Sequence, residues 1–222
     1  MTSDRETVPL LLPGTLCDAA LWTGVSLPAE ARMLDTVRGG SLAEVAALAL
    51  KNAPARFHLV GFSLGAIIAF EVLRLAPQRV ARLTLISANP HAPSSAQLES
   101  WAEQERQVRA GKFEALAATL APAGPQHEQV LEMALRVGPE AFLEQLGLLR
   151  SRPDSRQTLA GYSGPLTLLV GQVDTVTPPR LSEEMKALAP QAHLRVIPNA
   201  GHYLPLDAPQ AVSDALREPV HA

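Results

Sequence analysis

The feature that most restricts the fold is a repeated alternation of short apolar runs with helical patterns. Strand-like apolar runs lie at residues 8–14, 31–37, 56–62, 80–90, 165–171 and 192–198. Stretches that favour helices separate most of them, and one begins with a capping-box pattern at Ser41 and Glu44. Apolar strands joined by helices are typical of a parallel sheet covered on both faces. The sequence therefore predicts an α/β fold with a mostly parallel sheet of about six strands.

Residues 92–161 interrupt this alternation. This region has no strand-like run, and Gly and Pro residues divide it into four stretches of helical pattern. We expect residues 1–91 and 162–222 to form the α/β core. We expect residues 92–161 to form a helical insertion at the edge or top of the sheet.

Composition narrows the classes of partner. The 222 residues carry a formal net charge of −3 without a dense Lys/Arg cluster, which disfavours nucleic acid and anionic membranes. Residues 1–14 lack the basic start and long apolar run of a signal peptide, and no apolar stretch is long enough to span a membrane. Cys17 is the single cysteine, so no intramolecular disulfide is possible. These features predict a cytoplasmic protein.

One motif, Gly-Phe-Ser-Leu-Gly at residues 61–65, lies where a strand pattern changes into a helix pattern. A serine between two such glycines is typical of a nucleophile elbow. The glycines allow close packing of strand and helix, and the hydroxyl stands at a helix N-terminus, where free N–H groups meet negative charge. Alone, the motif leaves open a packing turn with Ser63 as the helix N-cap.

A serine nucleophile needs a base, and the base needs an acid that orients it. Asp174 and His202 each follow a predicted strand, and the carboxyl ends of parallel strands meet at one edge of the sheet. Either residue alone would be read as a turn or loop residue. The three residues occur in the chain order Ser63, Asp174, His202, each at a strand end. This order predicts a catalytic triad. Asp154 is interpreted as a helix cap or as the ion-pair partner of Arg156, and Asp207 is interpreted as the cap of the C-terminal helix.

Three segments, "GFSLG", "VGQVDTVTP" and "NAGHYLPLDAP", resemble the catalytic segments of the α/β-hydrolase superfamily. About residues 7–218 follow that family's order of elements, and residues 92–161 lie where relatives carry a helical cap. The family fold has eight strands, so the resemblance implies that the first two are missing here. The loop "LLPGTLCDAALW" is similar to that of the pimeloyl-ACP methyl ester esterase group.

The resemblance also implies an oxyanion hole made of two backbone N–H groups. The residue after the nucleophile, Leu64, supplies one of them. The second comes from the loop after the first strand, where relatives often have His-Gly-x and this chain has Pro-Gly-Thr at 13–15. By position the donor is Thr15, and Leu16 is the alternative.

These residues predict a serine hydrolase that cleaves small-molecule carboxylic esters of small to medium acyl groups through an acyl-enzyme. No zinc spacing and no nucleotide-binding motif is present, so we expect no metal and no cofactor. Three alternatives stay open: a thioesterase or acyl-carrier esterase, a lyase that uses the triad as a base, and a ligand-binding receptor. The sequence predicts an apolar pocket roof drawn from Leu98, Trp101, Phe113, Leu116, Leu120, Met133, Phe142 and Leu146.

Overall fold

A computed structural model describes residues 7–217 of the chain. Its six-stranded sheet is parallel throughout, with the spatial order β2-β1-β3-β4-β5-β6. The strands are β1 (Pro9–Leu12), β2 (Arg32–Met33), β3 (Phe57–Phe62), β4 (Val80–Ile86), β5 (Leu166–Gly171) and β6 (His193–Ile197). The predicted α/β fold with six parallel strands is confirmed. Residues 1–6 and 218–222, which the predicted core includes, lie outside the described residues.

Burial separates the central strands from the edge strand β2. Every residue of β1, β3 and β5 is buried, because helices cover both faces of the sheet. The edge strand β2 is shorter than the predicted 31–37 run and both of its residues are exposed. The chain leaves the sheet soon after Leu34, whose N–H donates to the carbonyl of Leu11. Val37 O then accepts from a side chain, that of Gln145, at 2.9 Å.

The helices alternate with these strands as predicted. They are α1 (Leu42–Asn52), α2 (Leu64–Leu75), α3 (Ser95–Arg109), α4 (Phe113–Leu120), α5 (His127–Ser151), α6 (Arg156–Ala160), α7 (Pro179–Leu188), α8 (Leu204–Asp207) and α9 (Pro209–Arg217). The Ser41 hydroxyl caps α1 by accepting from the N–H of Glu44 at 3.2 Å. The Glu44 carboxylate accepts in turn from Gly40 N–H, so the predicted capping box is shifted by one residue.

Helices α3 to α6 follow one another between β4 and β5, and we call residues 95–160 the helical segment. Two of its four predicted helices join into the single helix α5, with a kink at Gly138, where φ is 80°. The kink has a local cause, because the next residue, Pro139, has no N–H to donate. The short helix α6, which the pattern did not predict, ends the segment.

Alternate residues of the central strands face two separate apolar layers. Leu10 and Leu12 of β1 pack in a layer with α1 and α2, whereas Leu11 packs in a layer with α9. Phe142 and Leu146 of the helical segment belong to the first layer, so the segment packs onto the same core. Among the described residues, no helix combines the length and the apolar character needed to cross a membrane.

Candidate active site

Ser63 lies in the sharp turn between β3 and α2. Its backbone has φ 51° and ψ −110°, a conformation that L-residues rarely adopt. A Cβ at Gly61 would lie 2.6 Å from the carbonyl oxygen of Gly65, and a Cβ at Gly65 would overlap the carbonyl of Leu12. Both glycines are therefore needed for close approach of backbone segments. The turn holds the Ser63 side chain at the carboxyl end of the sheet.

The three residues of the predicted triad meet at this end of the sheet. The Nε2 atom of His202 lies 3.1 Å from Ser63 Oγ, and Nδ1 of the same ring lies 2.9 Å from Oδ2 of Asp174. Asp174 follows β5, and His202 follows β6, so adjacent strands place the acid and the base. The contacts form a continuous hydrogen-bonded chain from the hydroxyl through the imidazole to the carboxylate.

The Asp174 carboxylate is buried and heavily hydrogen-bonded. Its Oδ1 accepts from the N–H groups of Val176 and Thr177, each at 2.8 Å, and its Oδ2 accepts from the Thr177 hydroxyl at 2.7 Å. Burial alone would raise the pKa of Asp174, but the hydrogen bonds from His202 and Thr177 outweigh it and hold the pKa below its ordinary value. The carboxylate therefore stays ionised beside the imidazole.

Sequence reasoning missed Thr177. Its hydroxyl lies between two residues of the predicted triad, 2.7 Å from Asp174 Oδ2 and 3.2 Å from His202 Nδ1. The available signal was an Asp followed three residues later by Thr at the start of a loop, a spacing at which the aspartate accepts local hydrogen bonds. Thr177 thus fixes the rotamer of the carboxylate that faces the imidazole.

The loop that carries His202 is held from both sides. The Ser87 hydroxyl donates to the carbonyl oxygen of His202 at 3.0 Å, and the Asp207 carboxylate accepts from Gly201 N–H at 2.7 Å. Asp207 therefore holds the loop that carries His202 in place. Its interpretation as a helix cap did not include this role. The Asp154 carboxylate accepts from the backbone N–H of Arg156, the first residue of α6, and also pairs with the guanidinium of Arg156.

The residues predicted as oxyanion donors lie at the start of α2 and in the loop after β1. Leu64 is the first residue of α2, so its N–H has no partner within the helix. The neighbouring loop holds Leu16 with φ 56°, and the N–H of Leu16 donates to Oε1 of Gln145 at 2.9 Å. The N–H of Leu16, the alternative to Thr15 in the prediction, is therefore already engaged by a side chain of α5.

Gln145 is a second residue that sequence reasoning missed. Its side chain is fully buried on α5, accepts from Leu16 N–H and donates to the carbonyl of Val37 at 2.9 Å. A buried amide with both ends bonded to backbone groups fixes the loops that it joins. The helical segment thereby holds the loop that carries Thr15.

A cavity of about 250 Å³ lies beside Ser63. The sheet side of its wall includes Thr15, Ser63, Thr177 and His202. Of the eight apolar residues predicted as a roof, four line this cavity: Trp101, Leu120, Phe142 and Leu146. Three others are buried elsewhere (Phe113, Leu116 and Met133), because they pack the helices together, and Leu98 is exposed.

The cavity wall also contains a charged side chain that the sequence did not indicate, Arg152. The nearby cysteine is a poor alternative nucleophile, because Cys17 is completely buried and burial raises its pKa to about 12. Within residues 7–217, no group of three or more His, Cys, Asp or Glu side chains is placed to hold a metal ion.

The chain is similar to known proteins over almost its whole length. The model of the alpha/beta hydrolase family matches residues 10–215. A pimeloyl-(acyl-carrier protein) methyl ester esterase from Photobacterium profundum is 26% identical over 228 residues, which cover 96% of this chain and 87% of that protein.

The chain is also similar to solved structures over almost its whole length. A thermophilic esterase from Thermogutta terrifontis, solved with malate bound, superposes with a TM-score of 0.82 and 28% identity over 95% of this chain and 88% of its own. An enol-lactonase from Burkholderia xenovorans LB400 shares the fold alone, with a TM-score of 0.82 and 16% identity over 97% of this chain and 90% of its own.

Proposed function

Because the chain belongs to the alpha/beta hydrolase family, we propose that it is a serine hydrolase that cleaves carboxylic esters of small to medium acyl groups. The observation that carries the proposal is the hydrogen-bonded chain from Ser63 through His202 to Asp174 beside the cavity. The similar proteins named as esterases support the same reaction class.

In the proposed reaction, Ser63 Oγ attacks the ester carbonyl while His202 Nε2 takes the hydroxyl proton. The carbonyl oxygen becomes an oxyanion, which accepts from the N–H groups of Leu64 and Thr15. His202 then gives its proton to the leaving alcohol, and an acyl-enzyme remains on Ser63. A water molecule, deprotonated by His202, attacks the acyl carbon and releases the acid.

Asp174 has two tasks in this scheme. Its carboxylate accepts from Nδ1–H of His202, so the tautomer with a free Nε2 lone pair faces the serine. The same negative charge stabilises the imidazolium that forms after proton transfer. Thr177 and the backbone donors hold the carboxylate still, which lowers the reorganisation that the reaction requires.

We also propose that residues 92–161 act as a cap over this site. Apolar side chains of the helical segment, among them Trp101, Phe142 and Leu146, line the same cavity as Ser63, and Gln145 holds the loop that carries Thr15. A roof of this kind excludes water from the acyl group and limits its size.

A second candidate substrate is a methyl ester of an acyl group carried on an acyl-carrier protein. The one observation that favours it is the name of the Photobacterium relative at 26% identity. The same serine chemistry applies, so a comparison of free and carrier-bound acyl methyl esters distinguishes the two substrates by kcat/KM.

The experiment that tests the function is turnover of p-nitrophenyl esters combined with covalent labelling. A serine-directed phosphonate adds one label to the wild-type protein, on Ser63, and abolishes turnover. The Ser63→Ala protein folds with an unchanged circular dichroism spectrum but takes no label and has no ester turnover. Labelling at a different serine, or full activity of Ser63→Ala, would disprove the assignment of the nucleophile.

A further inference from the structure

One charged side chain in the cavity wall is not used by the proposed reaction. Arg152 directly follows α5, and only 5% of its surface is exposed. It lines the cavity that Ser63 also lines. A buried guanidinium is costly unless it has hydrogen-bond acceptors and a negative partner, so its surroundings indicate what it binds.

The partners of Arg152 within the chain are neutral. Its Nε donates to the carbonyl oxygen of His91 at 2.8 Å, and its Nη2 donates to Oε1 of Gln97 at 2.9 Å. The guanidinium also lies over the Trp101 ring, 5.2 Å from the centroid. Among residues 7–217, no carboxylate lies within ion-pair distance of Arg152, and no partner contacts its Nη1.

The acidic residues nearby in sequence and space are already engaged. Asp154 pairs with Arg156, and Glu184 contacts both His91 and Arg156. Burial lowers the pKa of Arg152 only to about 10, so the side chain stays protonated at neutral pH. The cavity wall therefore presents a positive charge that lacks a counterion within the described chain.

A second donor lies beside this charge. The capping box of α3 has Oε1 of Gln97 accept from Ser94 N–H at 3.1 Å, and the same oxygen accepts from Arg152. With the oxygen engaged twice, the NH₂ end of Gln97 is left as a donor in the cavity wall. The free Nη1 of Arg152 and the Gln97 amide suit the two oxygens of a carboxylate.

We infer, building on the proposed ester hydrolysis, that Arg152 binds a carboxylate on the acyl part of the substrate, which makes monoesters of short dicarboxylic acids the preferred class. The ester end lies at Ser63 and the free carboxylate at Arg152, with the intervening methylenes against Phe142 and Leu146. A cavity of about 250 Å³ suits a short acyl chain of this kind.

The test is a ratio of two kcat/KM values. The charged substrates are the monomethyl esters of succinate, glutarate and adipate. Each is compared with the matched ester in which a primary amide replaces the free carboxylate, so that shape is kept and charge is lost. We expect the wild-type protein to favour the best charged ester by about 10–100-fold, the range that a charged hydrogen bond gives.

Three variants separate recognition from structure. Arg152→Gln brings the ratio close to one, whereas Arg152→Lys keeps part of it because the positive charge remains. Arg106→Gln is the matched control in the helical segment, because Arg106 pairs with Glu103 at the surface and lies outside the cavity wall, and this variant keeps the wild-type ratio. A wild-type ratio near one, or equal losses on both esters in Arg152→Gln, overturns the inference.

A binding measurement keeps the inference separate from the proposed function. In Ser63→Ala protein, adipate raises the melting temperature, and the additional Arg152→Gln change removes that shift. Inorganic phosphate serves as the competing anion, and an equal shift with phosphate overturns carboxylate recognition. If neither methyl ester is turned over while the adipate shift depends on Arg152, the ester hydrolysis fails and the carboxylate site stands.

Discussion

The α/β core and the helical segment contact the same cavity but are built in different ways. In the core, buried parallel strands end at one edge, and the turns that follow hold Ser63, Asp174 and His202 by backbone geometry and short hydrogen bonds. In the helical segment, the 15-residue helix α3 has one buried residue, Val108, and its surface carries ion pairs such as Arg106–Glu103. Exposed pairs of this kind contribute little stability.

This difference predicts where substitutions act. Changes in the core turns should alter the chemical step, because the proposed reacting groups lie there. Under the proposed function, changes at the cavity-lining residues of the helical segment should alter which acyl group fits. Gln145 is the exception that connects the two regions, since its amide accepts from the N–H of Leu16, in the loop that also carries Thr15.

The largest effect is expected from Asp174→Asn. An amide at this position cannot accept from Nδ1–H with the strength of a carboxylate and favours the wrong imidazole tautomer. We expect kcat to fall on the order of 10⁴-fold, as the same change does in serine proteases, while the fold is kept. Asp154→Asn is the control, because that carboxylate pairs with Arg156 at the surface, and full activity is expected. The reverse pattern would mean that the acid lies elsewhere.

Gln145→Leu tests the connection between the regions. Leucine leaves Leu16 N–H and Val37 O without partners in the interior, which costs about 1–3 kcal/mol of unfolding free energy for each group. We also expect kcat to fall about 10–100-fold with KM little changed, because the oxyanion contact is made in the transition state.

The control for that change is Gln157→Leu, at an exposed glutamine of α6. It should affect neither the denaturation midpoint nor kcat. If Gln145→Leu lowers stability but leaves kcat intact, Gln145 only packs the helical segment and does not position the loop that carries Thr15 for catalysis.

Thr177→Val tests the contribution of one side-chain hydrogen bond within the core. Valine has nearly the same shape, so the change removes the hydroxyl that donates to Asp174 at 2.7 Å and keeps the backbone donors. The loss of one charge-assisted hydrogen bond predicts a drop in kcat of about tenfold. Thr167→Val, on the neighbouring strand β5, is the matched substitution and should leave kcat unchanged. An equal drop in both variants would point to a general loss of packing.

The smallest effect concerns acyl-chain length. Each methylene that the pocket covers should gain up to about 0.8 kcal/mol, or about fourfold in kcat/KM, until the pocket is full. We expect p-nitrophenyl esters of short to medium chains to be preferred, and Leu146→Ala to move the optimum to longer chains. Leu148→Ala, at a buried leucine of the same helix outside the cavity wall, removes as many atoms and should not move it. A rate that rises to the longest chain in wild-type protein would exclude a closed roof.

The sequence by itself determined the parallel α/β fold, and it indicated the residues that meet at the sheet edge. Ser63, Asp174 and His202 could be predicted because each lies within a few residues of a strand end, where local backbone geometry alone decides the position. The glycines of the elbow were predictable for the same reason, since their neighbours in sequence are also their neighbours in space.

Only the tertiary structure decided which side chains complete the cavity. Gln145 bonds a backbone group 129 residues away, and Arg152 bonds groups 61 and 55 residues away. Such contacts depend on the angle at which the kinked helix α5 packs against the sheet. A helical periodicity identifies the face that is buried, but it does not identify the residue that this face meets. For this reason the sequence predicted an apolar roof, and the fold placed an arginine in it.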